Sequence, residues 1–168
     1  MWNIDHGLMR RVHRWPAPRW VRLWMLASTR AGDGWLWLAL ALAILASEEN
    51  HRIAAVAAGL AAAIVSTLAF LLLKRVFNRQ RPCELEAHCW ATLTPPDEYS
   101  FPSGHTMVAF AVAVPIALFL PYLLWTMLFC VLSIAVSRIV LGMHFLSDVI
   151  AGAVLGALLG LASYLVFY

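Results

Sequence analysis

The chain has 168 residues, 62% of them hydrophobic and 12% charged, with a formal net charge of +3. That length holds one domain, and that balance of apolar to charged residues excludes a soluble globule. The basic excess does not read as nucleic-acid affinity, because the arginines gather beside apolar runs and no aromatic-basic stripe lies on a soluble region.

Residues 2–24 interleave Trp2, Trp15, Trp20 and Trp24 with Arg10, Arg11, Arg14, Arg19 and Arg22. They lack the contiguous apolar stretch of a secretory leader and suit a helix lying in the headgroup zone. Pro16 and Pro18 break that helix in two. A bilayer core about 30 Å thick asks for roughly 20 apolar residues per spanning helix. Residues 53–73 and 149–168 have that length without a charge, whereas residues 35–46 form a shorter apolar run that borrows from its flanks. The uncharged run 106–137 is too long for one crossing, and Pro121 near its middle predicts two short spans joined by a tight turn. The expectation is an all-α membrane bundle of about five transmembrane helices plus an amino-terminal interfacial helix. It forms one membrane-embedded domain over residues 1–168, with an interfacial segment at 1–30 and a hydrophilic active-site loop at 75–104. Pro95, Pro96, Asp97 and Glu98 supply a turn cluster within that loop.

Beyond residue 98 the only charged side chains are Arg138 and Asp148. Charge placed in hydrocarbon is costly enough that such groups point to function. Three constellations follow. Lys74, the chain's only lysine, precedes Arg81-Pro82 by seven residues, about two helical turns, so the two cations would share a face if the helix runs to the proline. Basic residues also snorkel at helix ends, and this segment alone does not choose between the two readings. Phe101-Pro102-Ser103-Gly104-His105 opens an apolar helix. Ser103 is placed to cap it, the helix start offers backbone N–H groups to an anion, and glycine allows close approach. His105 could donate a proton to a leaving oxygen there. Finally, Ser137-Arg138 is followed by His144 and Asp148 at i and i+4. On a helix the carboxylate would bond one ring nitrogen and leave the other as a nucleophile, while Arg138 clamps phosphate oxygens. Gly152, Gly156 and Gly160 continue at four-residue steps and predict close helix packing.

Together these segments resemble the signature of the type 2 phosphatidic acid phosphatase superfamily: Lys, six residues, Arg-Pro; Pro-Ser-Gly-His; and Ser-Arg, five residues, His, three residues, Asp. All eleven specified positions are filled, in order, between Lys74 and Asp148. The resemblance implies a small bacterial membrane lipid phosphatase, similar to undecaprenyl-diphosphate phosphatases. It would act on a phosphate monoester or pyrophosphate carried by a lipid. His144 would attack phosphorus and form a phosphohistidine, oriented by Asp148, with His105 protonating the leaving group and later activating water. Lys74, Arg81, Ser103, Gly104 and Arg138 would hold the phosphoryl oxygens. No metal and no cofactor are expected. The partners are the bilayer and a lipid phosphate, with no nucleic acid. Undecaprenyl diphosphate, phosphatidylglycerol phosphate, phosphatidic acid and lipid A 1-phosphate are all candidates.

Vanadium haloperoxidases share this phosphate site by resemblance, but they are soluble and larger. A non-catalytic membrane anion or lipid-phosphate binder, or a channel lined by the arginines, would need neither the attacking histidine nor its carboxylate. Relatives of this kind mostly work on the outer face of the inner membrane. The expected site therefore faces outward, although six arginines before residue 31 would place that side in the cytoplasm by the positive-inside rule. In an oxidising compartment Cys83 and Cys89 would pair, leaving Cys130 free in the fourth helix.

Overall fold

The computed structural model describes residues 2–85 and 99–168, and every regular element among them is helical. The amino-terminal segment is two helices, α1 (Trp2–His13) and α2 (Arg19–Ala31). Pro16 and Pro18 lie in the gap between them, Pro18 with the extended φ of −56° and ψ of 152° that ends a helical run. After them come α3 (Trp35–Ala46), α4 (Arg52–Phe77), the four-residue α5 (Pro82–Leu85), α6 (Gly104–Phe119), α7 (Leu124–Val140) and α8 (Leu146–Phe167). The turn expected at Pro121 is a 3-10 turn, Pro121–Leu123, joining α6 to α7.

Among the described residues, the segments containing α4, α7 and α8 are long and apolar enough to cross a membrane. The apolar helices α3 and α6 are shorter. At 12 residues, α3 is about 18 Å long, well under the hydrocarbon thickness. Their outer faces carry Leu68, Leu72 and Val76 on α4, Trp125 and Phe129 on α7, and Val154 and Leu158 on α8, all exposed. So continuous an apolar exterior belongs against lipid, and the chain is an integral membrane protein.

Helix α6 sits at the centre, packed against α4, α7 and α8. Small residues make that possible: Ala55 and Ala58 of α4 and Ala109 and Ala113 of α6 are buried in one cluster with Ile116, Val131 and Ile134. The glycine stripe of α8 lies directly on the α6 backbone. A Cβ at Gly152 would stand 2.7 Å from the Ser103 carbonyl oxygen, one at Gly156 2.2 Å from that of Met107, and one at Gly160 2.7 Å from that of Ala111. Backbone cannot yield as a flexible side chain can, so Gly156→Ala must push the helices apart. Overpacking of this kind costs about 1–3 kcal/mol. The variant is expected to melt at a lower temperature than the parent in detergent, and an unchanged melting curve would mean the two helices do not meet this closely.

These helices alternate in direction, so the carboxyl ends of α4 and α7 meet the amino ends of α6 and α8. The backbone N–H of Ser103, just before α6, donates to the Asp148 carbonyl in the first turn of α8 at 3.1 Å. Every residue of the three constellations therefore falls at one end of the bundle.

Candidate active site

At that end the chain buries charge. Arg81 and Asp148 are fully buried, and Lys74, Arg138 and His144 nearly so. Burial of this kind is costly unless each group is bonded and compensated, so the partners define the site.

The approach of Arg138 to His144 is set by the end of α7. Gly142 takes φ of 71°, a left-handed conformation that glycine adopts without steric cost, and it folds the chain back over the helix terminus. The Arg138 carbonyl then receives the N–H groups of Met143 (3.0 Å) and His144 (3.1 Å). Two residues later α8 begins, with Phe145 as its cap.

His144 thus precedes the helix, and the expected direct carboxylate bond is replaced by another. Its Nδ1–H donates to the Ser100 carbonyl at 2.6 Å, whereas the Asp148 carboxylate lies 3.8 Å from the same nitrogen. A carbonyl only accepts, so the proton sits on Nδ1 and Nε2 keeps its lone pair. That nitrogen faces Arg81 Nη1 at 3.4 Å. Burial, with Arg138, Arg81 and Lys74 around it, holds His144 well below the ordinary histidine value against the opposing pull of the Ser100 carbonyl.

Asp148 acts one step removed. One carboxylate oxygen accepts from the Phe145 N–H (2.8 Å) and from the Ser100 hydroxyl, and the other from Arg79 Nη1 (2.5 Å). It therefore fixes Ser100, whose carbonyl fixes His144. Arg79 is itself held by Asp5 of α1 at 3.0 Å, and Asp5 also accepts from the Ser147 hydroxyl and N–H. The Arg79 guanidinium covers the Phe145 ring, 4.2 Å from its centroid.

Lys74 and Arg81 reach the site by different routes, correcting the expectation of a shared helical face. Helix α4 ends at Phe77, and Asn78 turns the chain with φ of 44° while its N–H bonds the Lys74 carbonyl. Arg81 enters from the following loop and donates to the Met143 carbonyl at 2.9 Å. The Lys74 ammonium stands 5.3 Å from the Phe70 ring centroid. That ring also fills the space beside Gly104, where a Cβ would approach it to 3.2 Å. Ser103 does not cap α6 through its side chain: its hydroxyl pairs with that of Thr106 at 2.9 Å. The first-turn amides of α6 still point out of the helix end, as helix starts require.

His105 follows on the same turn, and its Nε2 lies 2.7 Å from Asp33 Oδ1. Arg138 and Lys74 act electrostatically on both His105 and His144. Arg138 donates to the buried Thr29 hydroxyl at the end of α2. Sequence reasoning missed Ser100, Arg79, Asp5, Asp33 and Thr29. Asp33, Asp5 and Thr29 meet partners far along the chain, and only the glycines flanking Asp33 mark a turn. Cys83 and Cys130 are free thiols among the described residues. The suggested partner Cys89 and the turn cluster at 95–98 lie outside the described residues.

Comparison with known proteins bears on the family and the fold. A family model described as the PAP2 superfamily matches residues 37–168. The decaprenylphosphoryl-5-phosphoribose phosphatase of Mycobacterium tuberculosis is 36% identical over 131 residues, covering 76% of this chain and 68% of that protein. The lipid A 1-phosphatase of Rhizobium johnstonii is 32% identical over 108 residues, covering 62% of this chain but only 44% of that protein. Among solved structures, the transmembrane PAP2-type phosphatidylglycerolphosphate phosphatase of Bacillus subtilis superposes with a TM-score of 0.76 at 25% identity, over 96% of this chain and 83% of that one. Aquifex aeolicus LpxE shares the fold at a TM-score of 0.79 and 23% identity, over 95% and 94%. With the family model spanning most of its length and the helices arranged as in these structures, the chain belongs to the PAP2 superfamily.

Proposed function

We propose that this protein is a metal-independent lipid phosphatase of the bacterial inner membrane. In this reading its site faces outward and hydrolyses a phosphate monoester or diphosphate on a lipid through a phosphohistidine. The observation that carries the reading is the setting of His144: Nδ1–H is committed to Ser100 and Nε2 is directed at Arg81 among three buried cations. An anion binder or channel needs the cations but has no use for an oriented, unprotonated ring nitrogen.

In the proposed reaction, Lys74, Arg81, Arg138 and the amides opening α6 bind the phosphoryl oxygens and offset charge as it builds. His144 Nε2 forms the bond to phosphorus while the bond to the leaving oxygen breaks, and His105 supplies the proton to that oxygen. Water, deprotonated by His105, then displaces His144 and frees inorganic phosphate. The apolar helices below the site keep the lipid tails in the bilayer. Relatives are named for a decaprenyl phosphoribose lipid, for lipid A and, in Sulfolobus acidocaldarius, for undecaprenyl diphosphate. Undecaprenyl diphosphate, phosphatidylglycerol phosphate, phosphatidic acid and lipid A 1-phosphate therefore make up the test panel. Among the described residues no group of three or more His, Cys, Asp or Glu is placed to hold a metal ion.

The test is phosphate release by purified protein from that panel, with and without chelator, and from the same lipids presented to the outer leaflet of intact spheroplasts. Release from at least one lipid, undiminished by chelator and seen on intact spheroplasts, is expected. No release from any of them, or a loss with chelator that magnesium restores, would contradict the proposal.

A further inference from the structure

The turn between α2 and α3 reads Gly32-Asp33-Gly34, and it lies against the opening of α6. Gly34 takes φ of 116°, which favours glycine, and this sets the direction in which the chain leaves Asp33. Gly32 leaves room for the imidazole of His105: a Cβ there would stand 3.1 Å from His105 Cδ2. Asp33 Oδ1 meets His105 Nε2 at 2.7 Å, and both residues line a cleft of about 370 Å³ with Gly104, Phe70 and Trp37. Asp33 lies 41 residues before the first member of the Lys74–Asp148 signature and belongs to no part of it.

We infer that Asp33 is the positioning residue of the acid: it holds His105 by Nε2 and so assigns proton delivery to the opposite nitrogen, Nδ1. The carboxylate accepts the Nε2–H bond in either charge state of the ring. It fixes the ring's rotation about its side chain and offsets the positive charge of the imidazolium. In the phosphoryl-transfer step the Nδ1 proton passes to the leaving oxygen as that oxygen takes the electron pair of the breaking P–O bond. The ring returns to neutral with Nε2–H still on Asp33. In the hydrolytic step Nδ1 takes a proton from water as its oxygen bonds phosphorus and the bond from phosphorus to His144 Nε2 breaks, its electron pair returning to that nitrogen. The inference rests on the proposed role of His105 as the acid and adds the group that orients it.

The test compares two substrates with the same lipid chain, an alkyl phosphate and a nitrophenyl phosphate. The alkoxide leaving group needs a proton and the nitrophenolate does not. For Asp33→Asn, kcat/KM on the alkyl phosphate is expected to fall about ten- to a hundredfold, within the range of general acid catalysis. On the nitrophenyl phosphate it should stay within about threefold of the parent, and Asp33→Glu should recover part of the loss. His105→Ala, measured alongside, should show the same dependence on leaving group, only larger. A merely structural bond would lower both substrates together, so equal losses in Asp33→Asn, or none, would overturn the inference while His105→Ala keeps its selectivity. Equal losses in His105→Ala would instead remove the acid role itself, and the inference would fall with it.

Discussion

His144→Ala is expected to abolish phosphate release, by at least ~10⁴-fold, while the protein stays folded in detergent. Loss of a nucleophile has effects of that order when no neighbouring group can replace it. Here the second imidazole of the signature, His105, is committed to Asp33. The turn carrying His144 is held by its own and Met143's backbone bonds to Arg138, which the substitution leaves in place. Near-normal turnover by this variant, measured on the lipid that the parent hydrolyses best, would remove the proposed mechanism. The state of the ring adds a pH expectation. Because burial and three cations keep His144 well below the ordinary histidine value, protonation of the proposed nucleophile should not shape the activity profile at the usual histidine pKa. The acid side of that profile should be unchanged in its position by variants that leave the cations intact.

The second large effect is expected at Asp148, and its reason differs from the one the i, i+4 spacing suggested. Both oxygens of this fully buried carboxylate are taken by donors: Phe145 N–H and the Ser100 hydroxyl on one, Arg79 on the other. In Asp148→Asn the amide nitrogen must face a donor whichever way it is turned, leaving buried groups unsatisfied. The Ser100 segment would shift, and with it the carbonyl that holds His144. A displacement of about 1 Å in such a group costs roughly a hundredfold, so kcat should fall at least that far, with a lower melting temperature. Ser100→Ala keeps the carbonyl and loses only the hydroxyl tether, so its effect should be several times smaller. If Ser100→Ala and Arg79→Lys leave activity unchanged while Asp148→Asn is inactive, Asp148 acts on His144 directly rather than through this relay.

Much of this site was legible in the chain because its members carry chemistry that a membrane segment otherwise avoids. Lys74, Arg138, His144 and Asp148 stand out beside apolar runs, and the family spacing ordered them together with Arg81 of the hydrophilic loop. The glycine stripe was legible for a related reason, since residues four apart in an apolar run of spanning length share one face of a helix. What could not be read was the set of bonds made across the bundle. Asp5 and Asp33 look like ordinary polar residues near helix ends, and only the packing of α1 and of the α2–α3 turn against the site gives them partners. The helical link assumed between Lys74 and Arg81 failed at one residue, Asn78, whose left-handed conformation ends α4 at Phe77, four residues short of Arg81. Similarly, the spacing of His144 and Asp148 implied a shared helix, yet α8 starts only at Leu146 and leaves the histidine to be held by Ser100. Local pattern located the chemical groups, and tertiary contact decided which atom of each group is free.

That last distinction is the core of the mechanism, and trapping the intermediate tests it most directly. Purified protein would be mixed with lipid labelled in its terminal phosphate, quenched within the first turnovers in alkali, and digested to locate the label. A phosphoramidate is stable in alkali and labile in acid, unlike a phosphoserine or an acyl phosphate. The expected result is a label on His144 that survives alkali, disappears in acid, and is absent from His144→Ala. Steady phosphate release with no acid-labile label on His144, or a label on another residue, would contradict the account.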